Sequence, residues 1–427
     1  MAHELCAHVG ERVRVQGWLH HQRQLAQVAF VLLRDRSGVA QVVVVDPDLR
    51  QRIAGVACES VIEVTGEVAS SVQAPAGVEI VNPSITVISS VDSAPPLELR
   101  RPQLNAQLPT LLDHAAISLR HPRRRAIAQI ASASVAGFRS TLDGSGFTEI
   151  FTPKVVASAT ESGANVFPID WFGTQAYLAQ SPQLYKQVMV GVFERVYEVA
   201  PVFRAEPHDT ARHLAEYVSL DAEVGFITDH RDVMAILGTA LHGMLGAIAE
   251  TAAPAVELLG LTLPTVPEAV PVVDFADAQQ MIEAATGRPT VGEPDLAPHD
   301  ERWLCEWVLA EHGSEFVFVT GYPMAKRPFY THPDPQDGAA SNSFDLLFRG
   351  LELVTGGQRL HRLEDYEAAL AGQDLTAFDG YLEAFRHGMP PHGGFAIGLE
   401  RWVARLTGAA NIREVTLFPR DLHRLTP

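Results

Sequence analysis

The sequence predicts an α+β chain in two parts, a small N-terminal β-barrel and a larger unit built on an antiparallel sheet flanked by helices. Three observations point there. Residues 1–88 carry five short β-branched runs at regular spacing, with one helical piece after the third. From residue 121 onward, runs that look like antiparallel strands are interspersed with separate helices, not in strict strand–helix alternation. Neither G-x-G-x-x-G after a first strand nor G-x-x-x-x-G-K-[ST] occurs, which removes the common nucleotide-binding folds with parallel sheets. At 427 residues, two or three domains are expected.

The elements follow in order. "ERVRVQGWL", "VAFVLLRDRSG", "VAQVVVV", "SVIEVTGEVAS" and "VEIVNPSITVI" are the five strands, and "PDLRQRIAGVA" is the helical piece. This pattern suggests an OB-type barrel, a frequent binder of single-stranded nucleic acid. Residues 89–120 are rich in Pro and polar residues and read as a hinge, so the expected organisation is 1–88, 89–120 and 121–427. In the third part, "RRRAIAQIASASVAGFRSTLDGSG" has helical period and "FTEIFTPKVV" is extended. Residues 231–252 and 360–387 are helical by period, while "FVFVTGYP", "SFDLLFRGLELVTGG" and "GGFAIGL" read as strands. Residues 255–335 carry no motif that assigns them a role.

The totals set limits. A net charge of −18 argues against a protein that coats nucleic acid non-specifically, although residues 99–125 hold a local excess of arginine. No apolar run near 18 residues and no secretory signal pattern are present, so neither a membrane nor export is expected. Cys6, Cys58 and Cys305 form neither a disulfide framework nor a CxxC site and read as reduced thiols in a cytoplasmic protein.

The chemistry concentrates in "FRAEPHDTARHLAEYVSLDAE", residues 203–223. Arg204 and Glu206 share one face of an extended chain, as do Tyr217, Ser219, Asp221 and Glu223. Buried charges are costly unless paired or used, so an antiparallel hairpin here would make a polar ligand floor. Arg204 offers a planar fork for phosphate, Glu206 an acceptor, Tyr217 a flat face for a base, and Arg212 and His213 further reach. Asp345 and Glu352 are seven apart, an odd spacing that needs a bulge or turn near Gly350 before both can meet one cation. Two hard carboxylates beside a phosphate site suit Mg²⁺. "GGFAIGLERWVARL" runs from a strand into a helix with Arg401 in its first turn, a good polyphosphate site.

These stretches resemble the three motifs of class II aminoacyl-tRNA synthetases: "GFTEIFTPKVV", "FRAE…RHLAEY" and "AIGLER". "QSPQLYKQ", "ATESGA" and "LFPRD" are similar to the aspartyl-tRNA synthetases, and the chain lacks a large insertion, as in their compact archaeal type. The resemblance implies joining L-aspartate to ATP and transfer of the aspartyl group to tRNA(Asp). Arg204, Glu352 and Arg401 would be catalytic. ATP would meet Arg204, Glu206, Arg212, His213, Leu214, Tyr217, Glu352, Gly398, Leu399, Glu400 and Arg401. Mg²⁺ would sit on Asp345, Glu352 and Thr355. Aspartate would be held by Glu161, Gln183, Lys186, Arg204, Asp221, Thr355 and Arg359, with Lys186 and Arg359 clamping its side-chain carboxylate. Pro153 would belong to a homodimer interface.

In the barrel, the resemblance implies anticodon contacts from Arg23, Phe30, Gln41 and Glu79. His20 and Pro75 match the pattern of relatives with relaxed reading of the third anticodon letter, C in tRNA(Asp) and U in tRNA(Asn). The implied enzyme would therefore also make aspartyl-tRNA(Asn), to be amidated by a separate amidotransferase. The competing readings are an enzyme strict for tRNA(Asp), an asparaginyl enzyme, which typically lacks the lysine of "QSPQLYK", and a non-catalytic tRNA-binding paralogue, which would have lost phosphate or metal ligands.

Overall fold

Five strands close the N-terminal barrel: β1 (Arg12–Gln24), β2 (Ala29–Arg34), β3 (Val39–Val44), β4 (Val61–Ser70) and β5 (Val78–Ser89), in the order β1-β2-β3-β5-β4. The computed structural model describes residues 1–74, 76–157, 165–205, 207, 210–372 and 378–426. Alternation along the strands sends Val15, Leu19, Val31, Leu33, Val42 and Val64 into the barrel and leaves the other face wet. Closing the barrel bends β1. Gly17 sits where a Cβ would overlap the Arg34 carbonyl oxygen, and a bulge separates Leu19 from His21. The helix Pro47–Ala54 joins β3 to β4; Asp46 caps it by accepting from the Leu49 N–H at 2.7 Å, with proline in its first turn.

The chain divides into two compact units, Met1–Pro122 and Arg123–Pro427. Among the described residues, the second is built on eleven strands: β6 (Thr148–Glu149), β7 (Val155–Val156), β8 (Pro168–Trp171), β9 (Thr174–Leu178), β10 (Arg195–Phe203), β11 (Glu216–Gly225), β12 (Val272–Asp274), β13 (Phe316–Thr320), β14 (Ser343–Phe348), β15 (Leu351–Gln358) and β16 (His392–Gly398). Eight form one sheet in the order β12-β13-β14-β15-β16-β11-β10-β6; β7, β9 and β8 form a small separate one. The six inner strands pair antiparallel, but the short edge strands β12 and β6 pair in parallel. The sheet is therefore mixed rather than wholly antiparallel. The β12–β13 connection carries the helices Phe275–Thr286 and Pro298–His312, the crossover that a parallel pair requires.

One face of this sheet packs on the helices Pro122–Gly144, His230–Thr251 and Leu399–Thr407, burying Phe138, Leu241, Phe395 and Trp402. The helix His230–Thr251 is long and apolar enough to cross a membrane, although Thr239 and His242 interrupt its apolar run. Val233, Leu237, Leu241, Met244 and Ile248 recur at helical spacing and are buried in the core. Within 360–387, read as helical by period, the described residues hold the helices Leu363–Ala369 and Asp379–Arg386. The opposite face of the sheet is polar and open at its centre.

Candidate active site

The register explains that polar face. Pairing places Asp345 of β14, Thr355 of β15, Ala396 of β16, Asp221 of β11 and Glu198 of β10 in one transverse row across five strands. Their neighbours Leu220, Ala222 and Phe395 point into the core on the other side. β11 is thus buried on both faces, apolar below and polar above. Ala396, the smallest member of the row, leaves the middle open. Two cavities of about 130 and 110 Å³ meet there and share Arg204, Tyr217, Ser219, Thr355 and Ala396.

The first cavity gathers Arg204, Arg212, His213, Leu214, Tyr217, Glu352, Gly398, Glu400 and Arg401 of the residues expected to meet ATP; Leu399 does not join them, because its side chain packs into the hydrophobic core. Arg204 follows β10, extending the hairpin through its N–H to the Ala215 carbonyl at 2.9 Å, and its guanidinium lies 5.6 Å from the centre of the Tyr217 ring. The Arg212 guanidinium bonds Glu301 at 2.8 Å, Thr210 and His213 are 2.6 Å apart, and Leu214 is buried. Gly398 starts the helix Leu399–Thr407, from which Arg401 reaches the Glu352 carbonyl at 3.2 Å. Glu400 accepts from the Val218 N–H through both oxygens at 3.1 Å, and burial pushes its carboxyl up to about 7.

The odd spacing of Asp345 and Glu352 is resolved as the sequence required. Arg349 and Gly350 form the turn with positive φ, and the register shifts between Leu346 and Leu347. That extra residue on β15 returns Glu352 to the face of Thr355, whose hydroxyl donates to it at 3.0 Å. Burial pushes Asp345 up to about 6 although Arg327 bonds it at 3.1 Å; burial also opposes ionisation of Glu352, but Arg401 and Thr355 outweigh it and its pKa falls. Two carboxylates and a hydroxyl fit a hard cation that keeps water or phosphate oxygens as further ligands. Among the described residues no group of three or more His, Cys, Asp or Glu forms a self-sufficient metal site.

The second cavity holds the expected aspartate residues. Lys186, Asp221, Glu223 and Arg359 are all less than a tenth exposed. Lys186 bonds Asp221 at 2.9 Å and Glu223 at 3.2 Å, and Arg359 bonds Glu223 at 3.0 Å. The two cations expected to clamp a substrate carboxylate are therefore already balanced by two buried carboxylates. Ser219 also bonds Asp221, and Gln183 lines the same cavity. Gly394 of β16 makes this packing possible, because a Cβ there would overlap the Glu223 carboxylate.

Sequence alternation marks Glu223 without giving it a partner. Glu301 and Arg327 escape sequence reading because they lie in the stretch 255–335 that carries no motif. Glu161, Glu206 and Pro75 fall outside the described residues. Pro153 is exposed between Thr152 and Lys154, which both bond the buried Glu198 of the polar row. In the barrel, Arg23 pairs with Phe30, Phe30 with Val43, Leu32 with Gln41, and Gln41 with Glu79, so the four anticodon candidates share the outer face. Of these, Gln41 and Glu79 touch directly at 2.9 Å. His20 is the bulged residue of β1; Arg34, in a buried bidentate pair with Glu59, bonds its Nδ1 at 2.9 Å, and burial with Arg34 holds the imidazole below its usual pKa.

Comparison with known proteins gives two family matches: "tRNA synthetases class II (D, K and N)" over residues 107–422 and "OB-fold nucleic acid binding domain" over residues 13–88. A relative from Thermus thermophilus, named aspartate–tRNA(Asp/Asn) ligase, is 48% identical over all of this chain and 99% of its own length. One of the same name from Deinococcus radiodurans is 46% identical over all of this chain and 98% of its own. The solved asparaginyl-tRNA synthetase of Pyrococcus horikoshii, complexed with asparaginyl-adenylate, superposes with a TM-score of 0.91 at 30% identity, covering 99% of this chain and 97% of that one. An aspartyl tRNA synthetase from Entamoeba histolytica gives 0.89 at 30%, covering 100% and 92%.

Proposed function

Because the chain belongs to the class II tRNA synthetases of the D, K and N group, we propose that it attaches L-aspartate to tRNA(Asp) and to tRNA(Asn) through an aspartyl-adenylate. The observation that carries the choice of amino acid is the buried Lys186 beside Arg359 and their carboxylate partners. A backbone fold shared with asparaginyl and aspartyl enzymes alike does not choose between them. A pocket with two cations near the substrate side chain does: Lys186 and Arg359 offer only N–H donors, so the NH₂ of an amide side chain would face a donor where a carboxylate oxygen accepts.

In this reading Arg204, which lines both cavities, holds the α-phosphate and the substrate carboxylate as the new acyl–phosphate bond forms and pyrophosphate leaves. Tyr217 lies against adenine. Arg212, His213 and Arg401 grip the outer phosphates, with Glu400 and Gly398 shaping the base end. Asp221 takes the α-ammonium, with Glu161 joining it. Asp345, Glu352 and Thr355 would hold Mg²⁺, which neutralises phosphate charge when bound. The chemistry asks for positioning and charge stabilisation rather than a protein base.

The barrel supplies the tRNA choice. Arg23, Phe30, Gln41 and Glu79 on its outer face meet the anticodon, and His20 with Pro75 leaves the third letter loosely read. The names of the full-length relatives support both tRNAs. The reading extends to a homodimer using the Pro153 segment, a cytoplasmic location, and a separate amidotransferase that consumes aspartyl-tRNA(Asn). The deciding measurement is aspartylation of purified tRNA(Asn) beside tRNA(Asp). Comparable kcat/KM, within about tenfold, is expected. A preference for tRNA(Asp) near a thousandfold, about 4 kcal/mol, would leave an enzyme strict for tRNA(Asp).

A further inference from the structure

Behind Gln183 lies a buried polar chain to which the proposed mechanism gives no task. His392 Nδ1 is 2.9 Å from the Pro390 carbonyl, and its Nε2 is 3.0 Å from Gln187 Nε2. Gln187 Nε2 also reaches the Tyr366 hydroxyl at 3.0 Å, and Gln187 Oε1 receives Gln183 Nε2 and the Tyr381 hydroxyl, each at 3.0 Å. His392 and Gln187 are fully buried, and Gln183 is 4% exposed.

The proton positions follow from one end. A carbonyl oxygen only accepts, so His392 Nδ1 must carry the hydrogen. Burial pushes the imidazole down to about 4, so at neutral pH Nε2 is a bare acceptor. Gln187 must then present its NH₂ to that nitrogen. Tyr366 agrees, because its own proton goes to the Leu360 carbonyl at 3.0 Å and its oxygen is left to accept. A flipped Gln187 would set its carbonyl against two acceptors and its NH₂ against another NH₂, leaving buried groups unsatisfied. Gln187 Oε1 therefore faces Gln183, Gln183 gives up its NH₂ to it, and the remaining atom of Gln183 is its carbonyl oxygen. That side chain lines the same cavity as Asp221.

We propose that His392 and Gln187 are positioning residues that fix Gln183 as an acceptor for the α-ammonium of the amino-acid substrate. The inference rests on the aspartate reading above and adds what orients the pocket. Two acceptors, Gln183 Oε1 and Asp221, then favour a cationic donor beside them, while Lys186 and Arg359 favour an anion.

The test is aspartate-dependent exchange of pyrophosphate into ATP by the full chain and Gln187→Met, which keeps volume but cannot relay. Succinate, which lacks the α-ammonium, serves as competitive inhibitor. Tyr197→Phe loses a part-buried hydrogen bond to Asp143 of 2.8 Å away from this chain of contacts and controls for general destabilisation. The expected result is an aspartate KM raised tenfold or more in Gln187→Met, with the ATP KM and the succinate inhibition constant within twofold. An unchanged aspartate KM would overturn the proposal. So would an ATP KM or succinate constant rising in step, or an equal effect of Tyr197→Phe. If Gln187→Met does not fold, Tyr366→Phe, which removes the acceptor holding the Gln187 NH₂, is judged by the same criteria. Absence of exchange in the unaltered protein would overturn the aspartate reading and this inference together; normal exchange there confines any failure to the relay.

Discussion

Lys186 and Arg359 are legible in the sequence through "QSPQLYK" and the run after Glu352, but their partners are only half so. Glu223 shows as a charge at a period-two position in a buried strand, and pairing it with Arg359 required the register of β11, β16 and β15. Glu301 was not legible at all: it bonds Arg212 across 89 residues and the Glu352 N–H across 51 from a helix with no motif. His392 shows the same limit, since its tautomer depends on a proline carbonyl two residues away. It also predicts a pH response. The folded imidazole has its pKa lowered from 6.5 to about 4 by burial, with Arg359 and His361 opposing protonation and Glu223 favouring it less strongly than burial opposes it. The stability this contributes is fully present above pH 6.5 and is lost as pH falls through about 4, roughly 2 kcal/mol of it by pH 5. Asp345, raised to about 6, moves the opposite way, so the comparison must be with a variant. His392→Asn should be less stable at pH 7.5 but lose less stability on going to pH 5, by thermal melts across that range. Parallel pH dependence of the two proteins would sink the assignment.

At the scale of elements, strands were legible by composition and their edges were not. The five barrel strands and the helix after the third follow from β-branched runs and Asp-Pro capping. The parallel edge strands β6 and β12, two and three residues long, leave too little pattern to read. β15 and β16 owe their close approach to glycine, whose role in sequence is ambiguous between turn and packing. The structure separates the two by what a methyl group would meet. At Gly394 it would overlap the Glu223 carboxylate and the Ala222 carbonyl oxygen, pushing β16 from β11 beneath the second cavity. At Gly238, inside the helix His230–Thr251, it would meet nothing within 4 Å. The same substitution should therefore have opposite signs. Gly238→Ala should stabilise by up to about 1 kcal/mol through helix propensity. Gly394→Ala should destabilise by about 1–3 kcal/mol through overpacking and abolish aspartate-dependent exchange. Chemical denaturation of both variants checks this; a Gly394→Ala protein of unaltered stability and activity would show that the Glu223–Arg359 pair is not confined as described.

For the whole molecule, the two-part architecture was legible because each part is self-consistent at the level of pattern. The barrel runs alternate with period two around their own core, and no residue of that core belongs to the cores of the second unit. Among the described residues, the polar row, both cavities and the Gln183 relay draw their side chains from residues after 179. The anticodon candidates all precede residue 80. Adenylate formation and tRNA selection should therefore be separable. A chain of residues 123–427 keeps the cluster containing Phe138, Leu241, Phe395 and Trp402, so it has the means to fold alone. It should sustain aspartate-dependent pyrophosphate exchange within a few-fold of the full chain. Aspartylation of tRNA(Asp) should fall by a hundredfold or more in kcat/KM, because the candidate anticodon contacts are gone, at about 2.7 kcal/mol per hundredfold. Aspartylation of tRNA(Asn) should fall to the same low level. Exchange measured beside both charging reactions, on one preparation, gives the answer. A shortened chain that still charged its tRNA at full rate, or one that folded but had lost exchange, would show that the two activities are not partitioned between the units in this way.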